Sequence, residues 1–322
     1  MSIHHSIRRI VLGFFLLFPL LGYTLVDNQN HKTIGISQIV EHPALDAVRL
    51  GLIASLKEHG YIPDQNLTIR YENAQGNLVT STQIAIKLLS APLNIIIGIS
   101  TPSAQTLFFA AKRSKNQVPI VFTAVNDPKA AKLEPGSPPY PITGITDSPN
   151  VAALLKLMKK MMPNLKTVGL LYNPSEPNSV STIHEFKTIL NLHGIQTREL
   201  TVNSTTDIPQ AMQSIIGKVD ALYFPQDNTV VSAIETVVNI ADQGGTPSKV
   251  LPLFCSDPLL VERGVLAAVG YDYTEVGRET GEMVVKLLQG ADIKDLKVHN
   301  PLDVKTVINK ALADRLGLKA DH

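Results

Sequence analysis

Three aspartates, Asp227, Asp257 and Asp272, each stand shortly after a short β-branched or aromatic run. Taken singly, each reads first as the N-cap of a following helix. Taken together they can surround one ammonium group in a low-dielectric cleft, where charge-assisted hydrogen bonds are strongest. Amide and hydroxyl groups recur at matching places. Gln38, Glu41 and His42 follow the first apolar run, where the acidic residue also reads as a helix cap. Ser100-Thr101-Pro102-Ser103 follows another run. Pro102 suits a first helical turn, and the free N–H groups there suit a carboxylate, although Ser100 or Thr101 can equally cap its own helix. Tyr172-Asn173-Pro174-Ser175-Glu176-Pro177-Asn178-Ser179 offers a similar set of donors, and Gln226, Asn228 and Thr229 flank Asp227. Asn126-Asp127-Pro128 reads as an Asx turn. Tyr172, Tyr271 and Tyr273 lie beside these polar groups and can wall an apolar or cationic part of a ligand, whereas Tyr223 and Phe224 read as core.

Such residues need a scaffold that brings strand ends together. From Lys32 onward, short apolar runs alternate with helix-length amphipathic stretches, the signature of parallel α/β sheets. Strands are expected at 32–39, 67–71, 94–99 and 119–124, with helices at 45–59, 79–89 and 102–112. A Pro/Gly-rich stretch, Leu133 to Thr143, reads as a surface loop. A second series begins with a helix at 151–161, followed by strands at 167–172, 197–202, 221–224, 250–255 and 267–271. In open α/β sheets ligands bind beyond the carboxyl ends of the strands, where the polar residues above fall. A helix at 275–289 and a tail reaching Val307 exceed what one finished lobe needs. A third crossing puts the helix on the first lobe and the tail on the second, so lobe one is expected at 32–147 plus about 273–297 and lobe two at 148–272 plus about 298–322. Several hinge strands favour rigid-body closure over a cleft.

At 322 residues, 44% hydrophobic and with a formal net charge of +1, the chain can bury two cores and carries no field that would attract nucleic acid. Arg8 and Arg9 precede an apolar run from Ile10 to Leu21. Residues 1–26 therefore read as a secretory signal, or as an uncleaved N-terminal anchor, and the protein is expected in a periplasm. Cys255 is the single cysteine, so no disulfide within the chain and no lipid-accepting cysteine after the leader is expected; it reads as a buried small hydrophobe. Phosphate-cradling, dinucleotide, nucleophile-elbow and metal-spacing motifs are missing, so neither a cofactor nor a metal is expected, nor an enzyme.

The segments Ile34 to Asp46, Val121 to Pro128, Tyr172 to Ser179, Pro225 to Thr229 and Val261 to Gly264 together resemble the ABC transporter substrate-binding family that includes tryptophan- and tyrosine-binding members. The resemblance spans Lys32 to Leu318. It implies a type I periplasmic-binding-protein fold, two Rossmann-like lobes with parallel sheets joined by a multi-strand hinge. It further implies an amino-acid-like small molecule trapped between the lobes, a partner permease with its ATPase, and a monomer. Pocket positions carried over by resemblance are Gln38, Glu41, Thr101, Pro102, Thr123, Asn173, Asn178, Ser179, Asp227, Asn228, Asp257 and Asp272. Pro258-Leu259-Leu260 departs from a more polar stretch in the family, and so does the lack of a lipid-accepting cysteine. An anchored ligand-sensing ectodomain is the alternative, left open by an uncleaved N-terminus.

Overall fold

The computed structural model describes residues 31–133, 140–242 and 250–319. The leader lies outside them. So do residues 134–139 of the proline-rich stretch.

The first lobe alternates β1 (Lys32–Gln38), α1 (Pro43–Glu58), β2 (Leu67–Asn73), α2 (Leu78–Leu89), β3 (Ile95–Ile99), α3 (Thr101–Ser114), β4 (Ile120–Val125) and β5 (Ile142–Thr146). Its strands pair in the order β2-β1-β3-β4-β5, all parallel. The all-buried Ile95-Ile-Ile-Gly-Ile99 run follows from covering both faces of the sheet with helices. Gly98 lets α3 settle against the strand, since a Cβ there would lie 2.9 Å from Ala104 Cα.

The second lobe begins with α4 (Val151–Met161) and continues through β6 (Thr167–Tyr172), α5 (Pro177–Leu192), β7 (Gln196–Thr201), α6 (Ile208–Ile215) and β8 (Ala221–Phe224). The short α7 (Asn228–Ser232), α8 (Ile234–Asp242), β9 (Leu253–Cys255), a 3₁₀ segment Pro258–Arg263 and β10 (Ala267–Tyr271) follow. The chain then returns to the first lobe as α9 (Tyr273–Leu288), and comes back as β11 (Val304–Ile308) and α10 (Lys310–Leu316). The second sheet runs β11-β10-β9-β8-β6-β7 and is mixed rather than purely parallel, because β11 pairs antiparallel with β10 along its edge.

Helix α9 packs directly on α1. A Cβ on Gly277 would sit 2.1 Å from the Val48 carbonyl oxygen, and one on Gly51 would sit 2.2 Å from that of Thr274, so backbone meets backbone. Val276, Met283, Val284 and Val285 join the first lobe's core, and Ile308 and Ala313 join the second's.

Three crossings link the lobes and are stitched together. Thr146 N–H donates to the His299 carbonyl at 2.9 Å, Thr143 Oγ1 donates to the Leu296 carbonyl at 2.7 Å, and the Tyr271 hydroxyl donates to the Ser148 carbonyl at 3.2 Å. The strand β5 that precedes the first crossing corrects the loop expected up to Thr143. Proline crowding just before it hid a five-residue strand whose residues are all buried. The strand expected from Val250 begins only at Leu253, beyond Pro252.

Candidate functional site

The carboxyl ends of β1, β3, β4, β5, β8, β9 and β10 converge on the cleft between the lobes. A cavity there is lined by His42, Ala44, Leu45, Ser100, Ala124 and Asn126, together with Asp147, Gln226, Asn228, Val231, Asp257 and Tyr273. The lobes are drawn together. Ser100 Oγ donates to Asn228 Oδ1 at 3.1 Å, Asn126 Nδ2 donates to Gln226 Oε1 at 3.0 Å, and Ser181 Oγ donates to Asp127 Oδ2 at 3.2 Å. Gln226 Nε2 also donates to the Asp147 carbonyl at 3.3 Å. The free space left is about 10 Å³, room for about one water.

Backbone strain gathers at this place. Ser100 has φ 76° and ψ 155°, a region that belongs to glycine, and Ala124 has φ 52° beside a register shift in β4. Each such residue costs on the order of 1–3 kcal/mol and persists only where its surroundings hold it.

Buried polar atoms without a protein partner also gather here. Among the described residues, Gln38 Oε1, His42 Nδ1, Thr101 Oγ1, Asp147 Oδ1, Asn178 Oδ1 and Asp257 Oδ2 have none. A buried acceptor left so is costly, about 1–3 kcal/mol each, which marks a surface shaped for something that completes it. The carboxyls come from opposite lobes, Asp147 after β5 and Asp257 after β9. The Tyr273 hydroxyl donates to Asp147 Oδ2 at 3.1 Å, and Asp257 Oδ1 caps the following 3₁₀ segment through Leu259 N–H at 2.9 Å. Burial pushes Asp147 up to about 7. Burial does the same to Asp257, also to about 7, and the charge of Asp147 adds to it. Burial lowers His42 to about 4, so its imidazole is neutral.

Of the residues singled out in the sequence, His42, Ser100, Gln226, Asn228, Asp257 and Tyr273 line the cavity. Gln38 donates from Nε2 to Asp46 Oδ1 and to the Val40 carbonyl, both at 2.9 Å. Thr101 and Pro102 form the first turn of α3, and Asn178 Nδ2 donates to the Gln226 carbonyl at 2.8 Å. Asn173, Ser179 and Asp227 form a layer behind the wall. Asp227 accepts the N–H groups of Asn173 at 2.7 Å and Val230 at 2.9 Å, is bonded by Ser179, and thereby caps α7. Burial and then Glu176 push its carboxyl up, against those N–H bonds.

The remaining residues are engaged elsewhere. Glu41 is exposed and accepts from the Tyr71 hydroxyl; Thr123 accepts from Thr280 Oγ1 in the core at 2.8 Å. The Tyr172 hydroxyl donates to Glu199 Oε2 on β7 at 2.7 Å. Tyr271 is tied into the hinge, and Asp272 caps α9 and pairs with Lys305 at 2.6 Å. Cys255 is buried, its thiol is pushed up by that burial, and Sγ faces the Asp257 carbonyl at 3.3 Å.

Sequence reasoning missed Asp147, because it depended on recognising β5; the β-branched Ile142-Thr-Gly-Ile-Thr146 run was the available signal. Asn126, a turn residue by sequence, lines the cavity and bonds across it to Gln226. Glu176, read as one of a polar string, proves to be a clamp, its carboxylate accepting the Asn228 N–H at 2.9 Å and the Thr229 N–H at 3.0 Å.

Comparison with known proteins bears on this cleft. The ABC transporter substrate binding protein family matches residues 33–322. A tyrosine-binding protein of Clostridioides difficile strain R20291 is 35% identical over 305 residues, covering 92% of this chain and 85% of that protein. The crystal structure of an ABC domain in complex with L-Trp from Streptococcus pneumonia is 34% identical, with a TM-score of 0.83 over 90% of this chain and 96% of that one. The ligand-free, open structure of a substrate-binding protein with adhesive properties from Clostridium difficile is 36% identical and covers the same shares, 90% and 96%, yet its TM-score is 0.66. Identity is nearly equal in the two cases, while the TM-score is higher for the ligand complex. This chain as a whole superposes more closely on the ligand complex than on the open form.

Proposed function

Because the chain belongs to the ABC transporter substrate-binding protein family, we propose that it captures an amino acid between its lobes and presents the closed form to a membrane permease driven by an ATPase. The family works outside the cytoplasm, and among the described residues no helix is long and apolar enough to cross a membrane. In this reading no bond of the solute changes. The lobes part, the solute enters, and its groups take over polar partners that the closed cleft now finds within itself.

One observation carries the reading. Asp147 and Asp257 face the cavity from opposite lobes, and each keeps one buried oxygen without a partner. An α-ammonium brings three donors and a positive charge to that pair. The first turn of α3, with the unpartnered Thr101 hydroxyl, supports a place for the α-carboxylate. The ligands of the relatives, tyrosine and L-Trp, support an aromatic amino acid as the first to try.

The test is binding by protein refolded after removal of any carried solute, against a panel of amino acids, sugars, nucleosides and polyamines. The chain contains no tryptophan, so bound L-Trp supplies the only indole fluorescence. A solute at a hundred times its dissociation constant adds about 2.7 kcal/mol of stability, a clear thermal shift. Silence from every amino acid in a folded sample, or a response to sugars alone, would sink the proposal.

A further inference from the structure

One buried polar atom on the cavity wall is left unused by an ammonium and a carboxylate. His42 stands at the N-cap position of α1 but makes no capping bond with its side chain, and Nδ1 is buried with no partner among the described residues. Glu176 is an acceptor that takes both the backbone N–H of Asn228, at 2.9 Å, and its Nδ2, at 2.5 Å. The Asn228 amide is therefore fixed with Nδ2 toward Glu176 and Oδ1 toward the first lobe, where Ser100 Oγ donates to it. The same Asn228 side chain acts on the His42 ring, favouring its protonated form against the burial that opposes it. A neutral imidazole carries one N–H and one lone pair, and the buried, unpartnered Nδ1 is free to hold the lone pair.

Ala44, Leu45 and Val231 share the cavity wall with His42. The charge of Asp46 acts on the ring. The cavity wall thus offers apolar side chains and a neutral acceptor as well as its two carboxyls.

Resting on the amino-acid reading above, we infer that His42 determines specificity for the solute's side chain, its Nδ1 accepting a hydrogen bond from an aromatic N–H or O–H. The solute class is then aromatic amino acids with a ring-borne donor, of the tryptophan or tyrosine kind, in preference to phenylalanine and aliphatic residues. A ligand without the donor leaves the buried nitrogen unpaired, and sites built for such a bond reject the analogue strongly.

The experiment is calorimetric titration of the full mature protein with L-tyrosine, L-phenylalanine, L-tryptophan and benzothienylalanine, in which sulfur replaces the indole N–H. Wild type, His42→Leu and His42→Gln are compared. The expected result is that the preferred donor ligand binds wild type about 10²-fold or more tighter than its donor-free counterpart. His42→Leu should bring each pair to near parity by weakening the donor ligand alone, and His42→Gln, which keeps an acceptor, should restore part of the preference. Equal affinities within both pairs in wild type overturn the inference while leaving the amino-acid reading intact, and need no variant to fold. A uniform loss for all ligands in His42→Leu also overturns it. Binding of no amino acid overturns the amino-acid reading, and this inference with it.

Discussion

The Tyr273 hydroxyl donates to Asp147 Oδ2 at 3.1 Å, so the residue that opens α9 holds the carboxyl that follows β5 on the cavity wall and leaves its other oxygen, Oδ1, buried without a partner. Asp147→Asn keeps the shape and removes the charge. In the unliganded protein at neutral pH or above, the substitution removes a buried carboxylate that desolvation opposes, and stability should rise by on the order of 1–3 kcal/mol. Amino-acid affinity should fall at least about tenfold with the charge-assisted bond. A thermal melt and a titration check both; a variant that melts earlier and binds as wild type would remove Asp147 from the site.

Acidity should act on binding and folding in opposite directions. Asp147 and Asp257 rise from 3.8 to about 7 in the folded chain, so between those values the folded state holds more protons than the unfolded one. Their contribution to unliganded stability is full below about 4 and is lost as pH rises through about 7. His42, lowered from 6.5 to about 4, contributes in the other sense, stabilising above 6.5 and losing that as pH falls through about 4. An ammonium requires the carboxyls ionised. Affinity should therefore weaken from pH 8 to pH 5, approaching about tenfold per pH unit where one proton must leave on binding. Titrations in buffers of different ionisation enthalpy should show proton release near pH 7, and a flat pH profile would contradict it.

Gln226 reaches across the cleft twice, accepting from Asn126 and donating to the Asp147 carbonyl. Gln226→Ala loosens the closed form without touching either core. Small-angle scattering of the unliganded variant should give a larger radius of gyration than wild type. Identical unliganded curves would show that these bonds do not hold the lobes together.

Asp227 uses both oxygens on backbone N–H groups. An amide supplies only one acceptor oxygen, so Asp227→Asn should cost nearly as much as Asp227→Ala, about 1–3 kcal/mol by denaturant unfolding. A neutral Asn variant would indicate that the carboxyl is protonated in the native protein.

Much of this architecture was legible in the sequence because its signals are local. Thr167–Tyr172, Ala221–Phe224 and Ala267–Tyr271 stand as strands where β-branched and aromatic runs placed them, and α4 spans Val151–Met161 as its period requires. The polar residues after β3, β8 and β9 were visible by the same logic, and Ser100, Asn228 and Asp257 line the cavity. What could not be read is which way a strand-end side chain turns. Asp272 and Asp257 follow consecutive strands of one sheet, yet the first pairs with Lys305 on the antiparallel edge strand and the second faces the cleft. Periodicity carries no trace of that partner. Asp147 was hidden for a different reason, since its strand is short and its own pairing partner, β4, lies before the proline-rich stretch.

The passage of α9 onto α1 has a consequence for the order in which the molecule is made. Val48 and Gly277 must meet backbone to backbone, but they are separated in the chain by the rest of the first lobe and most of the second. Contacts of such long range close slowly, because a large loop must be ordered before they are made. A polypeptide emerging N-terminus first thus has its first lobe without one covering helix, and its second without an edge strand, until the final segment appears. The two lobes are finished together, by the same closing stretch of chain, and neither matures as an independent unit during synthesis.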